Sequence, residues 1–177
     1  DGSITYTTSS GDAKTDPADK VFKIILDRDP VLTAGEEAFV TSKWDVAVDS
    51  YLKVVRGGDD WKRRWSIPRL MIAAEQSRRF DASASGFIAM VKLDAAASAT
   101  LRPTPPEGPG KLLDDVVKEV TAALRDSNDQ QKAALLSFAL ELHRARKDEA
   151  AQATTLEELG KLSGALENDP ELRGLLA

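Results

Sequence analysis

The residues of this chain best equipped for chemistry lie between positions 61 and 79: Trp61, Lys62, Arg63, Arg64, Trp65, Arg69, Arg78 and Arg79. Arginine pairs bidentately with phosphates and carboxylates, and tryptophan stacks on flat groups. The cluster therefore has the make-up of an anion or nucleic-acid site, with Arg63 and Arg64 as its candidate anion contacts. It stands, however, in a chain of net charge -5, whose overall field does not attract nucleic acid. Trp61 and Trp65 are also one helical turn apart, as expected of side chains packing into a groove between helices. Arginine stems cover apolar surface while their heads stay in water. The packing role outweighs the binding role.

Other chemistry is scarce. His143 is the only histidine, so no second imidazole is available for a metal site or a nucleophile–base pair; its place near a helix end suits a cation. The acidic pairs Glu36-Glu37, Asp114-Asp115 and Glu157-Glu158 fall in first turns of expected helices, where negative charge is favourable. Helix neighbours point about 100° apart, which does not suit paired carboxylates. There is no cysteine, which excludes disulfides, thiolate catalysis and cysteine-based metal centres. Phosphate loops, dinucleotide fingerprints, calcium loops and nucleophile elbows are missing from the sequence. The expectation is a protein that is not an enzyme and carries no cofactor.

These side chains must be positioned by a mainly α scaffold. The 177 residues suffice for one good domain or a stack of helix pairs. At 42% hydrophobic and 30% charged, the composition is that of a soluble globular chain. No apolar run reaches the roughly 18 residues of a membrane span. The chain opens at Asp1 without Met, basic segment or apolar stretch. A processed product or excised segment is expected, with a signal or upstream domain removed, and an extracytoplasmic setting stays open.

Residues 1–28 read as a β-hairpin, built from Ser3–Thr8 and Val21–Leu26 as an antiparallel pair, and so as a possible remnant of an upstream β-domain. The competing reading is a helix opening at Asp16-Pro17 and burying Val21, Phe22 and Ile25. Asp29-Pro30 is a strong helix start, although Thr33 and Glu36 also have capping-box spacing. Ser42-Lys43 marks a turn. The next helix lines up Trp44, Ala47, Val48, Tyr51, Val54 and Val55 at helical spacing. Gly57-Gly58 stops it. Ser66-Ile67-Pro68 reads as the next helix start, carrying Ile67, Leu70, Met71 and Ala74, and a break near Arg79 leads to a helix from about Asp81 to Ala95. Two such pairs occupy 29–101.

Ala47-x-x-x-Tyr51 matches Ser83-x-x-x-Phe87 at an offset of 36 residues, and Trp44 matches Phe80 at the same offset. Over roughly residues 29–95 this resembles the tetratricopeptide-repeat family, whose period is near 34 residues, with a small residue and then an aromatic four later on its second helix. Gly35 and Leu70 fall at positions of that pattern. Ala38 and Ala74 depart from its first-helix tyrosine, Met71 from its glycine and Ser83 from its alanine. The resemblance implies antiparallel helix pairs with a groove lined by each first helix. Carried over by position, Glu36, Phe39 and Val40 would face that groove from the first pair, and Trp65, Glu75 and Gln76 from the second, with Arg69 nearby. The lysine–asparagine carboxylate clamp of chaperone-binding members is not present.

Arg102–Gly110 holds four prolines and two glycines and reads as a non-helical connector over 102–110. Beyond it, 111–177 reads as a helix pair with capping helices packed on the preceding ones. The first helix runs from Leu112 to about Arg125. The second follows a capping box at Ser127–Gln130, with Ala134-x-x-x-Phe138 repeating the earlier spacing. A further helix starts at Thr155, and a last turn follows Asn168-Asp169-Pro170. A stack of this kind needs such terminal cover. The expected function is a non-catalytic scaffold binding a protein or peptide in its groove, with self-association possible. The alternatives are a structural module without a ligand, or an anion or nucleic-acid binder through residues 61–79.

Overall fold

The computed structural model describes residues 2–7 and 10–166. An antiparallel hairpin of β1 (Ser3–Thr7) and β2 (Ala13–Pro17) is followed by eight helices. These are α1 (Pro30–Val40), α2 (Trp44–Gly57), α3 (Asp60–Gln76), α4 (Phe80–Leu93), α5 (Ala95–Ser98), α6 (Lys111–Leu124), α7 (Asp129–Arg146) and α8 (Glu149–Leu166). They pack in consecutive antiparallel pairs. One apolar core runs from Leu32 on α1 to Leu142 on α7, and Leu136, Leu140 and Leu159 join α7 to α8.

The local signals explain most boundaries. Asp29 caps α1, its Oδ1 accepting from Leu32 N at 3.0 Å with Pro30 in the first turn. On α2, Ala47, Val48, Tyr51, Val54 and Val55 are buried, and Trp44 packs on the core edge-to-face with Phe39. Ser83 and Phe87 on α4 are buried as Ala47 and Tyr51 are on α2. The connector 102–110 carries neither helix nor strand. It is tied to α7 by Arg102–Glu141 at 2.8 Å and by Gly108 N donating to Ala145 O.

Several expectations need correction. The partner of β1 is Ala13–Pro17, not Val21–Leu26. Thr5 and Thr15 stand opposite and hydrogen-bond at 2.9 Å, and Tyr6 OH donates to Asp16 at 2.8 Å, so cross-strand side chains favour this register. The helix that competed for Asp16–Ile25 is reduced to a single 3-10 turn at Ala18–Lys20. Thr8 and Ser9 lie outside the described residues. Helix α3 starts at Asp60 rather than near Ser66, and Pro68 lies well inside it. Acidic Asp59 and Asp60 favour the earlier start, and burial of Trp65, Ile67 and Leu70 offsets the lost proline hydrogen bond. The box capping α7 is Asn128 with Gln131, one residue later than expected. Helix α8 begins at Glu149 rather than Thr155, because Asp148 Oδ1 accepts from Ala151 N at 3.1 Å. The turn expected after Asn168 lies outside the described residues.

Three helix–helix turns share one geometry. Ser42, Arg78 and Lys147 adopt positive φ of 57°, 57° and 59°. In each case the left-handed residue donates to the carbonyl three before it, and the next residue donates to the carbonyl five before itself. That is the Schellman ending. It makes α7 and α8 a hairpin of the same kind as α1–α2 and α3–α4, a pairing that the Ala134–Phe138 spacing does not suggest. None of the three residues is glycine, and a left-handed L-residue is strained by its Cβ. Ser42→Gly, Arg78→Gly and Lys147→Gly should therefore each stabilise the fold, by about 0.5–1 kcal/mol. A higher urea midpoint at unchanged slope would show it.

The first two pairs also solve the same close approach in opposite ways. A Cβ on Gly35 of α1 would stand 3.0 Å from Tyr51 Cε1 and 3.3 Å from Ser50 Cβ on α2. At the equivalent crossing 36 residues later, α3 carries Met71 and α4 carries Gly86, whose added Cβ would meet Met71 Cγ at 2.9 Å. The glycine has changed sides. Total volume at the crossing is what the packing conserves.

Candidate functional site

Glu36 is the centre of the most connected polar group among the described residues. It sits on the stripe Leu32–Gly35–Glu36–Phe39 of α1 and is 1% exposed. Its Oε1 accepts from Tyr51 OH of α2 at 2.7 Å and from Trp65 Nε1 of α3 at 2.9 Å. Arg69 Nε stands 3.4 Å from the same oxygen. Oε2 accepts from the backbone N–H of Ile24 at 2.8 Å. The Arg69 guanidinium lies 3.6 Å over the Trp65 ring and 5.7 Å from the Phe39 ring, an arrangement that shields it while it faces the carboxylate. Burial, and then the Glu36 carboxylate, push the Tyr51 hydroxyl far above its ordinary pKa, so it is a fixed donor.

Residues 21–26, neither helix nor strand, cross this group as a strap. Thr33 Oγ1 both accepts from Leu26 N at 3.0 Å and donates to Leu26 O at 3.1 Å. Thr33 and Glu36, which have capping-box spacing, thus spend their side chains on the strap, and the helix start is left to Asp29. Arg69 Nη2 donates to Val21 O and Phe22 O, each at 3.4 Å. Val21, Ile24 and Leu26 pack on the core, whereas Phe22 is 73% and Ile25 48% exposed.

Of the residues expected to line a groove, Glu36, Phe39, Trp65 and Arg69 come together here. Val40 lies elsewhere, in a hollow bounded by Lys23, Glu37 and Val46. Gln76 is exposed, and Glu75 opens into a separate cleft of about 520 Å³ between α3 and the connector. The lining of that cleft joins the apolar Met71, Ile72, Phe80 and Leu101 and the connector prolines Pro103 and Pro106 with the charged Glu75, Arg78 and Arg102. Ile72 is 47% exposed. No motif or spacing in the sequence marks this cleft. Its signal was the prolines of the connector, which hold a wall away from α3.

Most of the basic cluster pairs with carboxylates of the chain. Lys62 Nζ lies 2.7 Å from Asp29, the carboxylate capping α1, and holds that carboxyl below the usual range. Arg64 lies 3.1 Å from Asp94, which caps α5 through Ala97 N; that bond and then Arg64 lower the Asp94 pKa. Arg63 pairs with Asp60, and Arg79 with Asp49 and Asp81. Trp65 is buried in the polar group, while Trp61 is 47% exposed beside Lys62.

His143 is buried on α7 with Nδ1 lacking a hydrogen-bond partner. Burial, and then the charge of Arg146, lower its pKa, with Asp148 opposing. The folded value therefore lies below the unfolded one, which is about 6.5. As pH falls through about 6.5 the unfolded chain takes up the proton first, so stability present above that pH is lost below it. The urea midpoint should fall between about pH 7.5 and 5.5, ahead of carboxylate titration. His143→Gln should flatten that slope.

Among the described residues no three His, Asp or Glu side chains gather as a metal site, and no helix is long and apolar enough to cross a membrane. Over the described residues, fold and site together define a mainly helical chain of eight sequentially packed helices with a buried carboxylate on the first of them. Comparison with protein-family models, curated proteins and solved structures finds no match to the chain.

Proposed function

We propose that this chain is a non-catalytic scaffold of tetratricopeptide-like helix pairs, and that it binds a protein or peptide segment in the cleft between α3 and the connector. The observation carrying this is the combination of an exposed Ile72 with apolar and proline lining and charges of both signs, among them Glu75 and Arg78. A stiff wall loses little entropy when a ligand is ordered against it. Apolar contacts set among polar groups that fix orientation are usual in a recognition cleft. The pairing of Arg63 and Arg64 with carboxylates supports this reading over an anion site.

The test is capture from native extract on the immobilised chain, with cross-links mapped by mass spectrometry. Wild type is compared with an Ile72→Asp, Glu75→Lys chain, both positions being exposed and therefore tolerant. A partner cross-linked near the cleft and lost with the variant supports the proposal. Equal capture by both chains would put binding away from the cleft and overturn the site, and none by either would leave the helices a purely structural module.

A further inference from the structure

The group around Glu36 has the properties of a receptor with its ligand in place. Three of the four groups facing the carboxylate, namely Tyr51, Trp65 and Arg69, come from α2 and α3; only the Ile24 N–H comes from the strap. The groove therefore stays assembled if the strap leaves, and its open position faces a backbone donor. All the hydrogen bonds to residues 21–26 from Thr33, Glu36 and Arg69 go to backbone atoms. What is recognised is a main chain with aliphatic side chains turned inward at Val21, Ile24 and Leu26, not this particular sequence. The strap itself is lightly held, with Val21, Ile24 and Leu26 only half-buried and Phe22 and Ile25 facing solvent.

We propose that the groove of Thr33, Glu36, Phe39, Trp65 and Arg69 is a backbone-reading site for an aliphatic segment in the conformation of the strap. In this chain it is closed by residues 21–26, and it takes such a segment from another protein when the strap is released. The occupant must present free N–H groups where Ile24 and Leu26 do, so proline is excluded at both places. This site is distinct from the α3–connector cleft, so either reading can fail alone.

The test uses the full chain and a labelled peptide with the sequence of residues 20–28. Ile24→Pro in the chain removes the N–H that Glu36 accepts and loosens the strap without touching a helix. This chain should bind the peptide at least about tenfold more tightly than wild type, because a closed site lowers apparent affinity by its open fraction. Adding Thr33→Ala, or placing proline in the peptide at the Ile24 position, should abolish the gain. Equal binding by wild type and Ile24→Pro chains, or binding indifferent to Thr33 and to the peptide proline, overturns the proposal. Amide exchange on unmodified protein gives an independent reading: Ile24 and Leu26 should exchange at least about tenfold faster than buried amides of α2 and α4. Exchange of those two amides only through global unfolding would equally overturn it.

Discussion

Replacing Glu36 by alanine is expected to destabilise the fold by about 3–5 kcal/mol, the usual cost of removing one partner from a buried charged group. The loss leaves Tyr51 OH and Trp65 Nε1 without the acceptor they share at 2.7 and 2.9 Å, and takes the counter-charge from Arg69. It also removes the acceptor of the Ile24 N–H. Each donor left unsatisfied in a buried place costs more than its bond contributes. Glu36→Gln keeps a carbonyl oxygen for two of the donors and should cost clearly less. Tyr51→Phe removes one donor while Glu36 keeps the rest, and should cost about 1.5–3 kcal/mol, the range for a bond to a charged group. Urea unfolding followed by tryptophan fluorescence suits all three, because Trp65 itself is a donor to the carboxylate. An alanine variant as stable as wild type would mean that the carboxylate is not the hub described here.

Phe87→Ala should cost about 3–5 kcal/mol, as for a fully enclosed phenylalanine. Phe87 is 0% exposed and its ring lies 4.8 Å from that of Phe138, which ties α4 to α7 across the point where the connector interrupts the repeat. The same substitution tests cooperativity. All three tryptophans lie at or before position 65, so fluorescence reports the N-terminal helices while far-UV circular dichroism reports all of them. With one core running from Leu32 to Leu142, the two signals should unfold together in the wild type and in the variant. Separate midpoints in the wild type would divide the core between α4 and α7.

The helices were largely legible. Tyr51, Phe87 and Phe138 stand where helical spacing put them, and all three are fully buried. Asp29-Pro30 and the Gly57-Gly58 stop act as their local chemistry predicts. Errors gathered where one local signal competed with another. Ser66-Ile67-Pro68 resembles a start, yet α3 runs through it, since burial of Trp65 and Ile67 outweighs what proline costs. Val21–Leu26 has strand-like composition but pairs with no strand; side chains of Thr33, Glu36 and Arg69 bond its backbone instead. Composition reports a preference for extension and is silent on what the backbone will bond.

The candidate site was legible in part for the same reason. Glu36 lies on the buried stripe of α1 by spacing alone, and a charge on such a stripe must find partners. That those partners are Tyr51, Trp65 and the Ile24 N–H depends on how three helices and a strap converge. The exchange of Gly35 against Ser50 for Met71 against Gly86 makes the same point, because neither position is intelligible until the helices cross. By itself the sequence determined the helix periodicity, most caps and stops, and the repetition of a helix pair 36 residues on, all of which depend on near neighbours along the chain. Only the tertiary structure decided that most of the arginine-rich stretch pairs with carboxylates of the chain, that the strap lies over Glu36, and that a cleft stays open beside Ile72. Those outcomes are set by distances between residues remote in sequence, which local spacing does not encode.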